Sequence, residues 1–533
     1  MNDSKRLIFR YTQDGIIWTS LATLTKRVSK IHLPFCCLGF GKYNIYNMLL
    51  SGMILMGMIM ETLGLSYVMP AAQCDLGLSL QEKGWLAAIP FVAIILTSHM
   101  WGWLADTKGR RPIMLMSMTL SVILSTLSSF SPNLITFAIL RFLACIFISG
   151  PSGVAYAYLG EFNSLRHRDK MVAFGAAFVG IGTVALPCVS WLILPMDFAF
   201  PISFLDIDYR PWRLLVVACA FPYAIASVCM LRAEESPKFL NASGRHQECL
   251  DVVKKIYAKN KHCPEDNFPI KSLVVESSST QATGGKGAMA VLKSMKDQTE
   301  PLFKSPLLAW TCLSCFVQFG IFATVNGFYI WFPSILNALA NAEAGGESMR
   351  ICDVLGASRT KANVTELICD DSVNTQTFQR AIFVGLVFCS MYLTVGILVD
   401  FVGKKAIIVF ILGGAGLCGV AANLVSDQIT AVSLFAVFQM SGACIGLLTA
   451  VVVDLYPTRL RAMAVCLSLM MGRVGSVLGS NLIGILLETN CGISFYLFGG
   501  LLIVCALLCL TLPGKKTMKT SRVPIGIEAA SPA

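Results

Sequence analysis

The sequence predicts an all-α membrane protein of twelve transmembrane helices in two pseudo-symmetric six-helix bundles. Three observations carry that prediction: an oily composition, a series of apolar runs of spanning length, and a motif pair that recurs about 294 residues later. Of 533 residues 55% are hydrophobic and only 14% charged, with a mean hydropathy of +0.68. A water-facing fold cannot hide that surplus, which needs a lipid solvent. Soluble enzymes, disordered chains and secreted disulfide scaffolds are thereby excluded.

The runs follow in order. Residues 1–44 carry seven Lys or Arg and no uninterrupted apolar core, so they are expected as a cytoplasmic tail without a cleavable signal. Apolar runs near 45–69, 84–104, 113–131, 134–158, 171–194 and 212–231 form the first bundle, 45–231. A polar stretch, 232–306, separates it from the second bundle, 307–512, whose runs lie near 307–333, 381–399, 405–425, 430–453, 462–487 and 494–512. Residues 513–533 are a second tail. The runs are too continuous for the short alternating strands of a β-barrel.

Charge orients the chain. With both tails and 232–306 on one side, 33 of the 42 Lys and Arg residues fall on that side, seven on the other, and two, Arg141 and Arg473, within spans. The excess marks the tail side as cytoplasmic. It also accounts for the net charge of +11 without nucleic acid. The outer loop at 334–380 contains the sequon Asn363-Val364-Thr365, a candidate glycan site, and Cys352 and Cys369, which face the oxidising side and could form a disulfide or equally stay free. The sequons at Asn2 and Asn241 are expected to stay bare in the cytoplasm. Most of the twenty cysteines lie within apolar runs and read as small hydrophobes. No Cys/His spacing suits a metal, and no cofactor is expected.

The repeat is the most specific signal. Gly102-Trp103-Leu104-Ala105-Asp106-Thr107-Lys108-Gly109-Arg110-Arg111 aligns without a gap on Gly396-Ile397-Leu398-Val399-Asp400-Phe401-Val402-Gly403-Lys404-Lys405. Glu161 through Arg166 to Arg168 aligns on Asp454 through Arg459 to Arg461, 293 residues later. Two acidic-to-basic motifs at nearly one offset imply parallel structural copies. Asp106 is expected to cap a helix or to pair with Arg110 or Arg168, as a breakable latch between moving parts.

These paired loops on twelve spans resemble the major facilitator superfamily. Glu234-Glu235-Ser236-Pro237-Lys238-Phe239-Leu240 resembles a signature of sugar porters and organic-ion transporters, with Glu234 in place of its first Pro. Met69-Pro70-Ala71-Ala72, Tyr158-Leu159-Gly160-Glu161-Phe162 and Trp331-Phe332-Pro333 resemble the synaptic vesicle glycoprotein 2-related branch. The resemblance implies two lobes that rock about a central crevice and carry a small organic solute, with proton coupling as an open alternative, in a monomer of the plasma membrane or a vesicle. A transporter-like fold serving as a membrane scaffold or receptor is the competing reading. A channel would need ring-forming repeats, and an ATP-driven pump a phosphate loop, and the sequence has neither. No catalytic set stands out, so an enzyme is not expected.

Intramembrane charges mark the candidate site, because each costs at least about 2.5–3.5 kcal/mol to insert. Glu61 and Arg141 lie at similar depths on the first and fourth runs and are expected to pair and exchange partners, with Glu61 a candidate proton site. The static alternative is a structural ion pair. Arg473, midway along the eleventh run, reads as structural, and His99 as a packed or snorkelling residue. Asn326, Tyr329, Trp331, Gln439 and Asn481 are the candidate solute contacts. Tyr329 and Trp331 could equally form an interfacial belt.

Overall fold

The computed structural model describes residues 8–12, 15–19, 40–163, 165–268, 299–344, 350–356, 374–456 and 460–512. Asn363, Cys369 and Arg459 lie outside the described residues, as do the side chains of Arg166, Asp400 and Arg461. Among the described residues twelve helices are long and apolar enough to cross a membrane. In chain order they are Lys42–Ala71, Gln81–Lys108, Arg110–Ser128, Leu134–Glu161, Phe174–Ile193, Pro211–Met230, Leu308–Asn341, Thr375–Val399, Lys404–Ala422, Ile429–Leu455, Met463–Thr489 and Cys491–Cys509. They are called spans one to twelve. An even number returns the chain to its starting side, so Lys42 and Cys509 share one face, called the inner face.

Local signals set the element ends. Span two starts with a capping box: Glu82 N–H donates to Ser79 Oγ, and the Glu82 carboxylate accepts from Ser79 N–H and its hydroxyl. Spans two and three are joined by one residue, Gly109, at φ +107°, and the helix of span eight, which runs on as Thr375–Val402, is joined to span nine by one residue, Gly403, at φ +93°. A side chain at that φ would be strained, so glycine permits a reversal that tight. Two short hairpins depart from the all-helical expectation: Ile8–Thr12 with Gly15–Thr19, and Phe200–Ile202 with Ile207–Tyr209 between spans five and six.

Two spans are broken. Span one interrupts at Gly64, between Lys42–Leu63 and Leu65–Ala71. Span ten passes through a 3₁₀ turn, Met440–Ala443, between Gln428–Gln439 and Cys444–Leu455. The hydroxyl of Tyr392, on span eight, donates to the Gly442 carbonyl in that turn at 3.3 Å. Such tighter turns inside a helix often mark a hinge.

Packing within lipid relies on close backbone approach more than on apolar burial. Spans seven and eleven show it most clearly: an added Cβ on Gly475 or Gly479 would collide with the backbone of Phe319 or Ala323. The second bundle is centred on Phe328, whose ring lies 5.2–5.8 Å from those of Phe435, Phe438, Phe495 and Phe498. One apolar core continues across both bundles, joining Tyr67, Val68 and Met69 of span one to Ile330, Phe332 and Phe378. Tyr67 stacks on Phe378 of span eight with centroids 6.5 Å apart.

Candidate functional site

The bundles close on each other towards the outer face. Besides the Tyr67–Phe378 stack, an added Cβ on Gly84 of span two would lie 2.8 Å from Asn481 Oδ1 of span eleven, and one on Gly385 of span eight 3.0 Å from the Thr183 carbonyl of span five. At the inner face the Asp106 side chain is 71% exposed, Phe401 is 82% exposed, and an added Cβ on Gly102, Gly153, Gly396 or Gly446 would meet open space. Beside the contacts between the bundles a small cavity is lined by Thr183, Val325, Tyr329, Phe332, Gly385, Phe388 and Gln439, among others.

Within the first bundle, Arg141 and Glu61 meet. Arg141 Nη1 lies 2.8 Å from Glu61 Oε2 and donates to Ser125 Oγ at 2.9 Å; Nη2 donates to the Glu61 carbonyl at 2.6 Å. Ser125 Oγ also donates to Glu61 Oε2 at 2.8 Å. Among the described residues Glu61 Oε1 and Arg141 Nε have no hydrogen-bond partner. Both side chains are essentially unexposed, so the pair sits inside the bundle, between spans one, three and four. Ser125 was not legible as a partner, because serines recur throughout the third span.

The repeated loops make equivalent contacts in both halves. Arg110 Nη2 lies 3.0 Å from Glu161 Oε1 at the end of span four, and Lys404 Nζ lies 2.7 Å from Asp454 Oδ2 at the end of span ten. Arg111 donates to the carbonyls of Met230 and Leu231 closing span six, and Lys405 to those of Leu510 and Leu512 closing span twelve. Cations on the last carbonyls of a helix are favourably placed. Asp106 pairs with Arg110 at 3.2 Å. Arg168 instead passes close to Gly160, whose added Cβ would lie 3.0 Å from its Nε.

The first-half latch extends further than the repeat. Glu161 Oε2 accepts from Ser236 Oγ at 2.6 Å, and the Glu235 carboxylate accepts from the N–H groups of Arg110, Arg111 and Ser236. Glu235 thus caps the start of span three. The motif after span six docks the helix His246–Lys261, where Asn260 donates to Asn44 Oδ1 at 2.8 Å and Asn44 donates to the Phe162 carbonyl. Outside the spans, burial pushes the Cys249 thiol of that helix up to about 11 and raises the Tyr456 hydroxyl, which contacts Thr311 Oγ1 at 2.8 Å.

The proposed solute contacts divide. Gln439 lies at the break in span ten, lines the cavity and is almost fully buried, with no partner for its Oε1 among the described residues. Tyr329 lines the same cavity. Asn326 donates to Ser476 Oγ at 2.9 Å across spans seven and eleven. Trp331 is 6% exposed and donates Nε1–H to the Ser480 carbonyl at 2.8 Å, which places it inside the second bundle rather than in a belt. Asn481 donates to the Val477 carbonyl and holds its oxygen against span two.

On the outer face the disulfide expectation is corrected. Cys352 is bonded to Cys491, at the start of span twelve, and not to Cys369. The helix at 351–356 packs against the second bundle through Ile351 and Val354, which brings the two sulfurs together across 139 residues. Cys74, at the outer end of span one, is also disulfide-bonded. Nearby, Asp75 accepts from Trp212 Nε1 and Arg213 Nη2 at 3.0 and 3.1 Å, while Arg213 Nη1 donates to the Ser129 and Ser131 carbonyls.

Twelve spans, two halves with matching latches and a cavity between them give a fold that the sequence comparison identifies. The Major Facilitator Superfamily profile matches residues 48–346. The chain belongs to that superfamily. Among its relatives are synaptic vesicle glycoprotein 2B of Mus musculus, 25% identical over 321 residues covering 57% of this chain and 47% of the relative, and synaptic vesicle glycoprotein 2A of Rattus norvegicus, 26% identical over 317 residues covering 56% and 43%. These matches span less than half of the relatives' own length. The fold is shared with the xylose transporter XylE from E. coli in a partially occluded inward-open conformation (TM-score 0.62, 16% identity, covering 89% of this chain and 99% of that one). It is also shared with the nucleoside transporter NupG (TM-score 0.58, 12% identity, 88% and 100%). The protein is thus an integral multi-pass membrane protein of the superfamily, on the synaptic vesicle glycoprotein 2 side of it.

Proposed function

We propose that this protein is a secondary transporter that carries a small organic solute by alternating access, with both tails in the cytoplasm. One observation carries the reading: the bundles meet near the outer face, while at the inner face each is internally latched by an equivalent ion pair. Two rigid halves hinged at one end of a cleft can exchange which end is closed. In this reading Gln439, Tyr329, Asn326 and Asn481 belong to the solute path, with Trp331 holding span seven on span eleven. The Gly109 and Gly403 turns and their flanking charges gate the inner mouth, with Arg166, Asp400, Arg459 and Arg461 completing that set.

Glu61 and Arg141 supply the coupling. A proton on Glu61 removes the charge that holds the guanidinium and weakens its tie between spans one and four. The unpartnered Glu61 Oε1 has room in its hydrogen-bonding for that proton. Uptake by the purified chain in proteoliposomes, with sugars, organic cations and organic anions, each with and without a pH gradient, tests the reading. Flux of one class that follows the gradient and loses that dependence in Glu61→Gln supports it. No flux with any class favours a non-transporting membrane scaffold or receptor.

A further inference from the structure

The second bundle carries a groove at its inner margin where the first bundle is closed. We propose that this groove binds one anionic phospholipid of the cytoplasmic leaflet, an acyl chain lying in it and the headgroup phosphate at its mouth; the leaflet rests on the orientation proposed above, the groove does not. It has a volume of about 480 Å³ and lies between the first turns of span seven and the last turns of span twelve. Ala309, Cys312 and Phe316 form one wall at helical spacing, and Leu508 and Thr511 belong to the other. Phe316 stands eight residues past Leu308, so the groove reaches about 12 Å into the span at helical rise.

The two halves differ here in one residue. Arg111 donates to the carbonyls of Met230 and Leu231 and Lys405 to those of Leu510 and Leu512, so the inner ends of spans six and twelve correspond. On the partner helices, Tyr46 of span one stands 24 residues before Pro70, and Ala309 of span seven stands 24 residues before Pro333. Tyr46 crosses the seam to span six and donates its hydroxyl to the Cys229 carbonyl at 2.7 Å. Ala309 offers only a methyl group in that place. Cys312 and Phe316 beside it stay exposed, and the seam between spans seven and twelve stays open.

Size, setting and charge select the occupant. A helix about 10 Å across and 12 Å long fills roughly 900 Å³, twice the volume present, whereas an acyl chain is slender enough to enter. The flanking Leu308, Val504, Leu507 and Leu510 are exposed, so the groove is continuous with the surface that lipid covers. Its mouth is basic on both walls. The Lys304 carbonyl accepts from Leu308 N–H, which sets Lys304 one turn before span seven. Lys405 holds the carbonyls on either side of Thr511, and of its three donors one remains for a ligand. Lys304 shares an exposed ion pair with Glu300, of a kind worth little, so a phosphate can compete for it. The sequence adds Lys515 and Lys516 three and four residues after Leu512. Basic pockets between spans on the cytoplasmic side suit anionic headgroups, while a zwitterionic headgroup brings its own cation to the same charges.

The test titrates the purified full chain in detergent with phosphatidylserine, phosphatidylinositol and phosphatidylcholine of identical acyl chains, and with phosphoserine as a headgroup without chains. Bound lipid is counted by native mass spectrometry, and Cys312 is followed by maleimide labelling, with Cys312→Ser as the blank. At least one of the two anionic lipids is expected to bind one to one and to slow Cys312 labelling several-fold, at concentrations where phosphatidylcholine and phosphoserine do neither. Ala309→Tyr, which gives the second half the ring that the first half carries, abolishes the lipid adduct. Lys304→Gln weakens the anionic lipid about fivefold, the worth of one lysine near an anionic surface, and leaves phosphatidylcholine binding unchanged, a split that a merely structural loss does not produce. Gel filtration confirms that each variant is folded, and the Lys304→Gln split decides the matter if Ala309→Tyr is not. Equal binding of phosphatidylcholine, protection by phosphoserine, or an anionic adduct that survives Ala309→Tyr overturns the proposal. So does protection of Cys312 without added lipid that disappears when residues 513–533 are removed, since the occupant is then the chain's own tail.

Discussion

Removing Arg141 tests whether the first bundle depends on its buried pair. In Arg141→Met the guanidinium contacts to Glu61 Oε2, the Glu61 carbonyl and Ser125 all go, and Glu61 keeps only the Ser125 hydroxyl as donor. An uncompensated buried charge of this kind costs about 3–5 kcal/mol. Replacing both partners, Glu61→Met with Arg141→Met, removes the two charges together and is expected to lie within about 1–2 kcal/mol of the wild type, because a buried ion pair repays little beyond its own desolvation. With Glu61→Met alone costing about as much as Arg141→Met, the coupling energy of the cycle is then about 4 kcal/mol or more. Glu61→Gln keeps an acceptor for both neighbours and falls between the single and double variants. The assay is the fraction of detergent-solubilised protein that remains monodisperse after stepwise heating, read for the wild type, the two single Met variants, the double variant and Glu61→Gln. A double variant that loses as much as the two single losses added together refutes the reasoning.

The two latches should differ in strength, since Arg110 and Glu161 are 14% and 6% exposed while Lys404 and Asp454 are 35% and 43% exposed. Glu161→Gln is expected to lower thermal stability by about 1.5–3 kcal/mol, and Asp454→Asn by about 1 kcal/mol or less, on the same heating assay; equal losses would contradict this. Gly479→Leu places a side chain against the Ala323 backbone, so spans seven and eleven must separate, and a loss of about 1–3 kcal/mol is expected, against little change for the same substitution at Gly414, where an added Cβ meets open space. Asp427 caps span ten, and its bonds from the Thr430 hydroxyl and N–H hold its carboxyl below the usual carboxylate range. Its contribution is present above the unfolded carboxylate pKa and is lost as pH falls through the lowered one. Asp427→Ala should therefore weaken the protein at neutral pH and leave a shallower acid-side decline, which thermal midpoints across pH will show.

The fold and the latches were legible because they are written in local pattern. Apolar runs need only length, and the Gly109 and Gly403 turns come with the charges that flank them. Glu61 and Arg141 could be matched by depth alone, since two charges in lipid at one level have few other partners. What escaped depended on contacts distant in sequence. Cys491 reads as part of an apolar run, yet the docking of residues 351–356 brings it to Cys352. Trp331 sits beside Pro333 near a run end, as belt residues do, but span seven continues to Asn341 and buries it. The break in span ten leaves no Pro as a marker; Ser441-Gly442 in an apolar run is a faint signal, and it sets Gln439 against the cavity.

The rocking of the two bundles is tested most directly by fastening them where they now touch. Val184→Cys with Gly385→Cys puts two thiols across the contact between spans five and eight, where an added Cβ on Gly385 lies 3.2 Å from the Val184 Cα, and mild oxidation joins them. If the outer contact must open in each cycle, the oxidised double variant carries no solute in proteoliposomes, mild reduction restores flux, and each single variant is unaffected by the same treatment. Undiminished flux with the two spans covalently joined would contradict the account.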